Sequence, residues 1–164
     1  MTTVTATASP APPPLLDRET YRLTLPNTAA APKIARNFVS SLLGIDRRHH
    51  PLVEDARLCV TEVVTNAHRH TETPLIRVSV AVDGGRVTVA VTDDKPWVLP
   101  VPTAVVRARG HGHEDGDTDQ AAYEEGRGIA LVAQLARAWG TTIYASDPVG
   151  RKAIWFTLES PGWG

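Results

Sequence analysis

Glu62 and Asn66 stand one helical turn apart in "TEVVTNAHRH" (61–70), a stretch whose valines and alanines otherwise read as a buried helix. With Glu62 at zero on a helical wheel, Val53, Ala56, Val60, Val63, Val64 and Ala67 fall between about 100° and 200°, a core-facing stripe. Asn66 falls at about 40°, Arg69 at about −20° and His70 at about 80°. A carboxylate, an amide and two basic groups thus line up beside the apolar stripe, either as a solvated flank or as a site. Asp93 is a second candidate. It shares strand parity with Val87, Val89 and Val91, so the last inward side chain of "VTVAVTD" is a carboxylate. A buried carboxylate needs a partner or protonates; the alternative is that Asp93 caps the following turn. The third candidate is "GRGIALV", where Gly126 and Gly128 bracket Arg127 at the start of a helical pattern. Glycines there let backbone N–H groups approach an anion, which a helix N-terminus favours; an ordinary turn has the same look.

The chain that must position these groups has 164 residues, 42% hydrophobic and 21% charged, the size and composition of one globular domain. Its net charge of −1 gives no general attraction to nucleic acid or to an anionic membrane. A single cysteine, Cys59, excludes an internal disulfide and a multi-cysteine zinc site, and its place beside the stripe reads as a core thiol. No apolar run reaches membrane-spanning length, and "MTTVTATASPAPPP" lacks the regions of a signal peptide. A reduced, cytoplasmic protein is expected.

Residues 1–16 are read as a disordered tail and 17–164 as one domain. "YRLTL" (21–25) alternates as a strand. Asn27 or Thr28 is expected to cap a helix with Pro32 in its first turn, an Ile34, Phe38, Leu42 stripe and a stop at Gly44. The helix with Glu62 is placed at about 51–70. "LIRVSVAVDGGRVTVAVTD" alternates on both sides of Asp83-Gly84-Gly85, a β-hairpin. Residues 97–125 lose periodicity and are read as a lid, rich in Gly, Asp and Glu, that orders around a ligand. A calcium loop fails there, because Gln120 stands where glycine is required and Gly126 where the glutamate belongs. "GRGIALVAQLARAWG" (126–140) reads as a helix with Ile129, Val132, Leu135, Ala136 and Trp139 on one face, and a second hairpin follows. The expected class is α/β: a two-layer sandwich, its mixed, largely antiparallel sheet covered on one face by three helices.

The order of the signals is more specific than any one of them. Glu-x-x-x-Asn on a helix, an Asp ending a strand, a long loop, then Gly-x-Gly opening a helix resembles the nucleotide-binding boxes of the Bergerat-fold (GHKL) ATPases, the class of gyrase B and the histidine kinases. Within it, "TEVVTNAHRHT", "VAVTDDKPWVLP", "GRGIALV" and "GRKAIWFTL" are similar to the small anti-sigma-factor serine/threonine kinases and related ATP-binding regulators, over about residues 20–159.

The resemblance implies a histidine-kinase-like ATPase fold, ATP and Mg2+ as cofactors, and a role in transcription regulation. Asn66 would bind magnesium through a neutral oxygen, Glu62 would be the catalytic base toward an attacking hydroxyl, and Asp93 would read the adenine amino group. Gly126, Arg127, Gly128 and Ile129 would cradle phosphates, with Arg69 and His70 nearby. The implied partners are a STAS-domain anti-anti-sigma protein, which the kinase phosphorylates, a sigma factor, and a second copy in a homodimer; no direct nucleic acid and no membrane are implied. The alternative is a non-catalytic nucleotide-binding regulator that sequesters its partner. Two places depart from the pattern. Lys95-Pro96 follow the Asp, and Ala153 stands where a threonine is expected to support it, which predicts affinity weaker by about 1 kcal/mol.

Overall fold

The computed structural model describes residues 18–96, 127–144 and 150–162. The expected tail at 1–16, the lid at 97–125 and Gly126 lie outside the described residues. Strand β1 (Glu19–Pro26) leads to helix α1 (Ala31–Leu43), a 3-10 turn (Arg47–Leu52) and helix α2 (Val53–His70). The hairpin β2 (Leu75–Asp83) and β3 (Arg86–Asp93) comes next, then helix α3 (Arg127–Leu135) and strands β4 (Ala138–Tyr144) and β5 (Arg151–Glu159). The five strands lie in the order β1-β2-β3-β5-β4. All four pairings are antiparallel, so the described sheet is not mixed.

Register explains the core. Val80, Val89 and Phe156 are cross-strand partners, as are Val78, Val91 and Ile154, and all are buried. Residues directly opposite in an antiparallel pair share a face, so these rows form one apolar surface. The helices cover it with Ala35, Val39 and Leu43 of α1, Ala56, Val60, Val63 and Val64 of α2, and Val132 of α3. The α2 stripe expected from periodicity is thus the buried one, with Cys59 added and Val53 only partly buried.

Four expectations change. Helix α2 begins at Val53, because Asp46 starts a separate 3-10 turn in which its carboxylate accepts from the Arg48 backbone N–H. Helix α1 turns Ala31, Ala35, Val39 and Leu43 fully inward; of the expected stripe, Phe38 and Leu42 pack half-buried against the core and only Ile34 is exposed, at 44%; small alanines let α1 lie close on α2. Neither Asn27 nor Thr28 caps α1 with its side chain. The Asn27 amide instead donates to the Thr73 and Thr71 carbonyls and accepts from His68 Nδ1 at 2.7 Å, tying β1 to the end of α2. Last, α3 stops at Leu135. The Arg137 N–H donates to the Thr157 carbonyl, and Trp139 lies in β4 opposite Phe156. Its inward direction comes from strand parity.

No helix among the described residues is long and apolar enough to cross a membrane.

Candidate functional site

Helix α2 packs against both β3 and α3, so the elements that carry the expected residues are neighbours through it. Glu62 and Asn66 are half-buried on the α2 flank beside the buried stripe, with the exposed Arg69 and His70 in the helix's last turn. One turn of rise, about 5.4 Å, separates Glu62 from Asn66. Among the described residues no hydrogen bond reaches the Asn66 side chain, so its amide oxygen is open to a ligand. Among those residues, too, no group of three or more His, Cys, Asp or Glu gathers. Magnesium requires none, since it takes one or two protein oxygens and draws the rest from phosphate and water.

Cys59, one turn before Glu62, is fully buried. Burial, followed by the Asp55 and Glu62 carboxylates, pushes its thiol from an ordinary 9.0 to about 12. The thiolate, not the thiol, is reactive. Native protein at pH 8 is therefore expected to leave Cys59 unlabelled by a disulfide reagent over the time in which the denatured chain reacts completely. Because the folded value is the raised one, the Cys59 contribution to stability is complete below pH 9 and declines as pH rises toward 12. Rapid labelling of the native chain would contradict this.

Asp93 ends β3 on the core side, 3% exposed. Its partner is Lys152, directly opposite on β5 and 2% exposed. Lys152 Nζ lies 2.8 Å from Asp93 Oδ1 and also donates to the Lys95 carbonyl at 2.8 Å. The Lys95 backbone N–H donates to the same Oδ1 at 2.9 Å. A carboxylate has two oxygens and about four acceptor sites, so these bonds leave Asp93 able to accept a further donor. Gly150, at φ +70, completes the enclosure. A Cβ there would meet Pro96 Cγ at 3.0 Å, so the Lys95-Pro96 turn is packed directly against the start of β5.

Lys152 is the site residue that the sequence reading misses. Its signal is parity, since "KAIWFTL" places Lys152, Ile154, Phe156 and Leu158 on one face. The same parity corrects the expectation for Ala153. Ala153 pairs with Thr92 on the opposite face of the sheet from Asp93, so the support for the carboxylate comes from position 152.

Helix α3 begins at Arg127, with Gly128 in its first turn. Ile129 is 3% exposed, a core side chain whose share in an anion site falls to its backbone. The first N–H groups of a helix have no partner within it and suit phosphate oxygens.

The sequence profile of the histidine kinase-like ATPase domain matches residues 25–156, from the end of β1 to the middle of β5. The chain belongs to that family. No curated protein matches the chain at a significant level. Membership makes this an ATP-binding domain of the GHKL type, and its sheet and helices fit that fold. The residues present fit a nucleotide: an open amide oxygen on α2, a buried carboxylate able to accept another donor, and a helix start at Arg127. ATP bound here would supply a transferable phosphoryl group.

Proposed function

We propose that this ATPase domain is a serine/threonine protein kinase of the anti-sigma-factor type, using Mg-ATP to phosphorylate a STAS-type anti-anti-sigma protein and holding a sigma factor in alternation with it. The observation that carries the reading is the Glu62 and Asn66 pair, one turn apart on a half-buried flank of the helix that packs against α3. The acceptor hydroxyl oxygen bonds to the γ-phosphorus as the bond to ADP breaks, and the hydroxyl proton passes to Glu62. Asn66 contributes a neutral oxygen to magnesium. Asp93 accepts from the adenine amino group, and backbone N–H groups at Gly126, Arg127, Gly128 and Ile129 hold the phosphates, with Arg69 and His70 supplying positive charge.

A second reading is a regulator that binds nucleotide and partner without phosphoryl transfer. It is favoured by the Lys95-Pro96 turn, which departs from the catalytic relatives' pattern and is packed against Gly150. Calorimetry with ATP, ADP and GTP in magnesium tests what both readings share. ATP and ADP are expected to bind, with GTP at least about tenfold weaker, the effect of roughly one hydrogen bond. No binding at millimolar nucleotide rejects both. Transfer of labelled phosphate to a co-purifying STAS protein separates them, and tight ATP binding without transfer selects the regulator.

A further inference from the structure

We propose that Lys152 is a positioning residue that sets nucleobase choice, by keeping Asp93 an acceptor and fixing the turn that follows it. The proposal rests on the adenine-reading role of Asp93 given above. Both side chains are nearly water-free, 2% exposed for Lys152 and 1% for Asp93. A carboxyl group in such a place stays ionised only beside a compensating cation. Lys152 is the cation bonded to it. An ionised carboxylate only accepts hydrogen bonds, whereas a protonated carboxyl also donates. The distinction decides the base. Adenine presents an amino donor at the ring position where guanine presents a carbonyl acceptor. Lys152 therefore controls the sign of the hydrogen bond that Asp93 can offer.

The contacts also restrict which oxygen is used. Oδ1 accepts from both Lys152 Nζ and the Lys95 backbone N–H, so an incoming amino group is directed to the second oxygen. Lys152 Nζ simultaneously holds the Lys95 carbonyl, joining the turn after β3 to β5. Gly150 packs against Pro96 of the same turn. Carboxylate and turn are thus held to one another through Lys152 and Gly150. A salt bridge that only closed the end of the sheet would make the same contacts, yet its loss would weaken every nucleotide alike.

Base selectivity separates the two. Lys152→Met keeps the length of the side chain and removes the charge. In the full chain, shown to be folded by circular dichroism, it is titrated calorimetrically with Mg-ATP, Mg-GTP and the Mg-triphosphate of purine riboside, which lacks the 6-amino group. The expected result is a fall of about tenfold or more in the ATP:GTP affinity ratio, with ATP and the purine riboside triphosphate becoming nearly equal. An equal loss for all three nucleotides, or an unchanged ratio, overturns the positioning role while the adenine reading stands. A wild type that does not distinguish ATP from purine riboside triphosphate overturns both. If Lys152→Met fails to fold, Lys152→Gln, which keeps a donor to Asp93 without the charge, undergoes the same titration with the same expected fall.

Discussion

Glu62→Ala is expected to leave Mg-ATP binding within about twofold of wild type and to reduce phosphoryl transfer by about 10²–10⁴-fold, the usual worth of a general base. The split follows from when each group acts. A base that takes the acceptor's proton matters chiefly in the transition state, so its loss lowers the rate of transfer without weakening the ground-state complex. Asn66 would act earlier. In the proposed role of magnesium ligand it would hold the ion and its phosphates before and during transfer, so Asn66→Ala is expected to weaken Mg-ATP binding and transfer together. The two residues are one turn apart on the same flank of α2, and both are half-buried. Their neighbours Val63, Val64 and Ala67 are fully or almost fully buried, so the flank is held rigidly by the core beneath it. Truncation at a half-buried position opens no enclosed cavity, and both variants are expected to fold. The measurements are nucleotide titrations beside single-turnover transfer to the proposed STAS partner. Equal losses of binding and transfer in Glu62→Ala would remove its assignment as the base, and unchanged magnesium dependence in Asn66→Ala would remove Asn66 as a ligand.

What could be read from sequence was whatever repeats locally. The β2–β3 hairpin is legible because Val78, Val80, Val87, Val89 and Val91 alternate around a glycine turn, and one buried face requires that register. The α2 stripe is legible because eighteen residues are long enough to show a period. Short or ambiguous segments are different. Leu135 and Trp139 satisfy helical and strand spacing alike, and only the pairing with β5, from the Arg137 to Thr157 hydrogen bond onward, decides for a strand. In α1, Ile34, Phe38 and Leu42 outweigh alanine on any hydrophobicity scale, but close helix packing puts Ala31 and Ala35 at the centre of the contact and leaves Phe38 and Leu42 at its edge. The candidate site follows the same rule. Glu62, Asn66 and Asp93 announce themselves as polar residues at or beside apolar periodicities. Lys152 does not, because a lysine at the start of a strand reads as solvated until β5 is aligned with β3. Asn27 is also hidden, since its partners Thr71, Thr73 and His68 are more than forty residues away.

Breaking the buried Asp93–Lys152 pair is expected to have a large effect on stability. Removing either partner leaves the other buried without its counter-charge, whether it stays charged or is driven neutral, a loss of about 3–5 kcal/mol. Lys152→Ala and Asp93→Asn are each expected to fall in that range in urea unfolding at pH 7, with unfolding slopes near wild type. The double variant Asp93→Asn with Lys152→Met should recover much of the loss, because a neutral amide beside an unbranched apolar chain leaves no buried charge at all. Replacing a buried ion pair by neutral groups is often close to neutral in stability, since desolvating two charges offsets much of their attraction. The signature is therefore non-additivity: the double variant is more stable than either single variant, a coupling that residues in direct contact can show. Single-variant losses below about 1 kcal/mol, the range of exposed pairs, would mean that water reaches Lys152 in solution, against its 2% exposure. Stability and base choice need to be measured on the same samples. Asp93→Asn removes the acceptor proposed for adenine and also strands the Lys152 ammonium, so weakened ATP binding by that variant alone has two physical causes. The double variant separates them, because it lacks the acceptor without the stranded charge. It is expected to remain folded and to show no preference for ATP over GTP. A folded double variant that still preferred ATP would move adenine recognition away from Asp93.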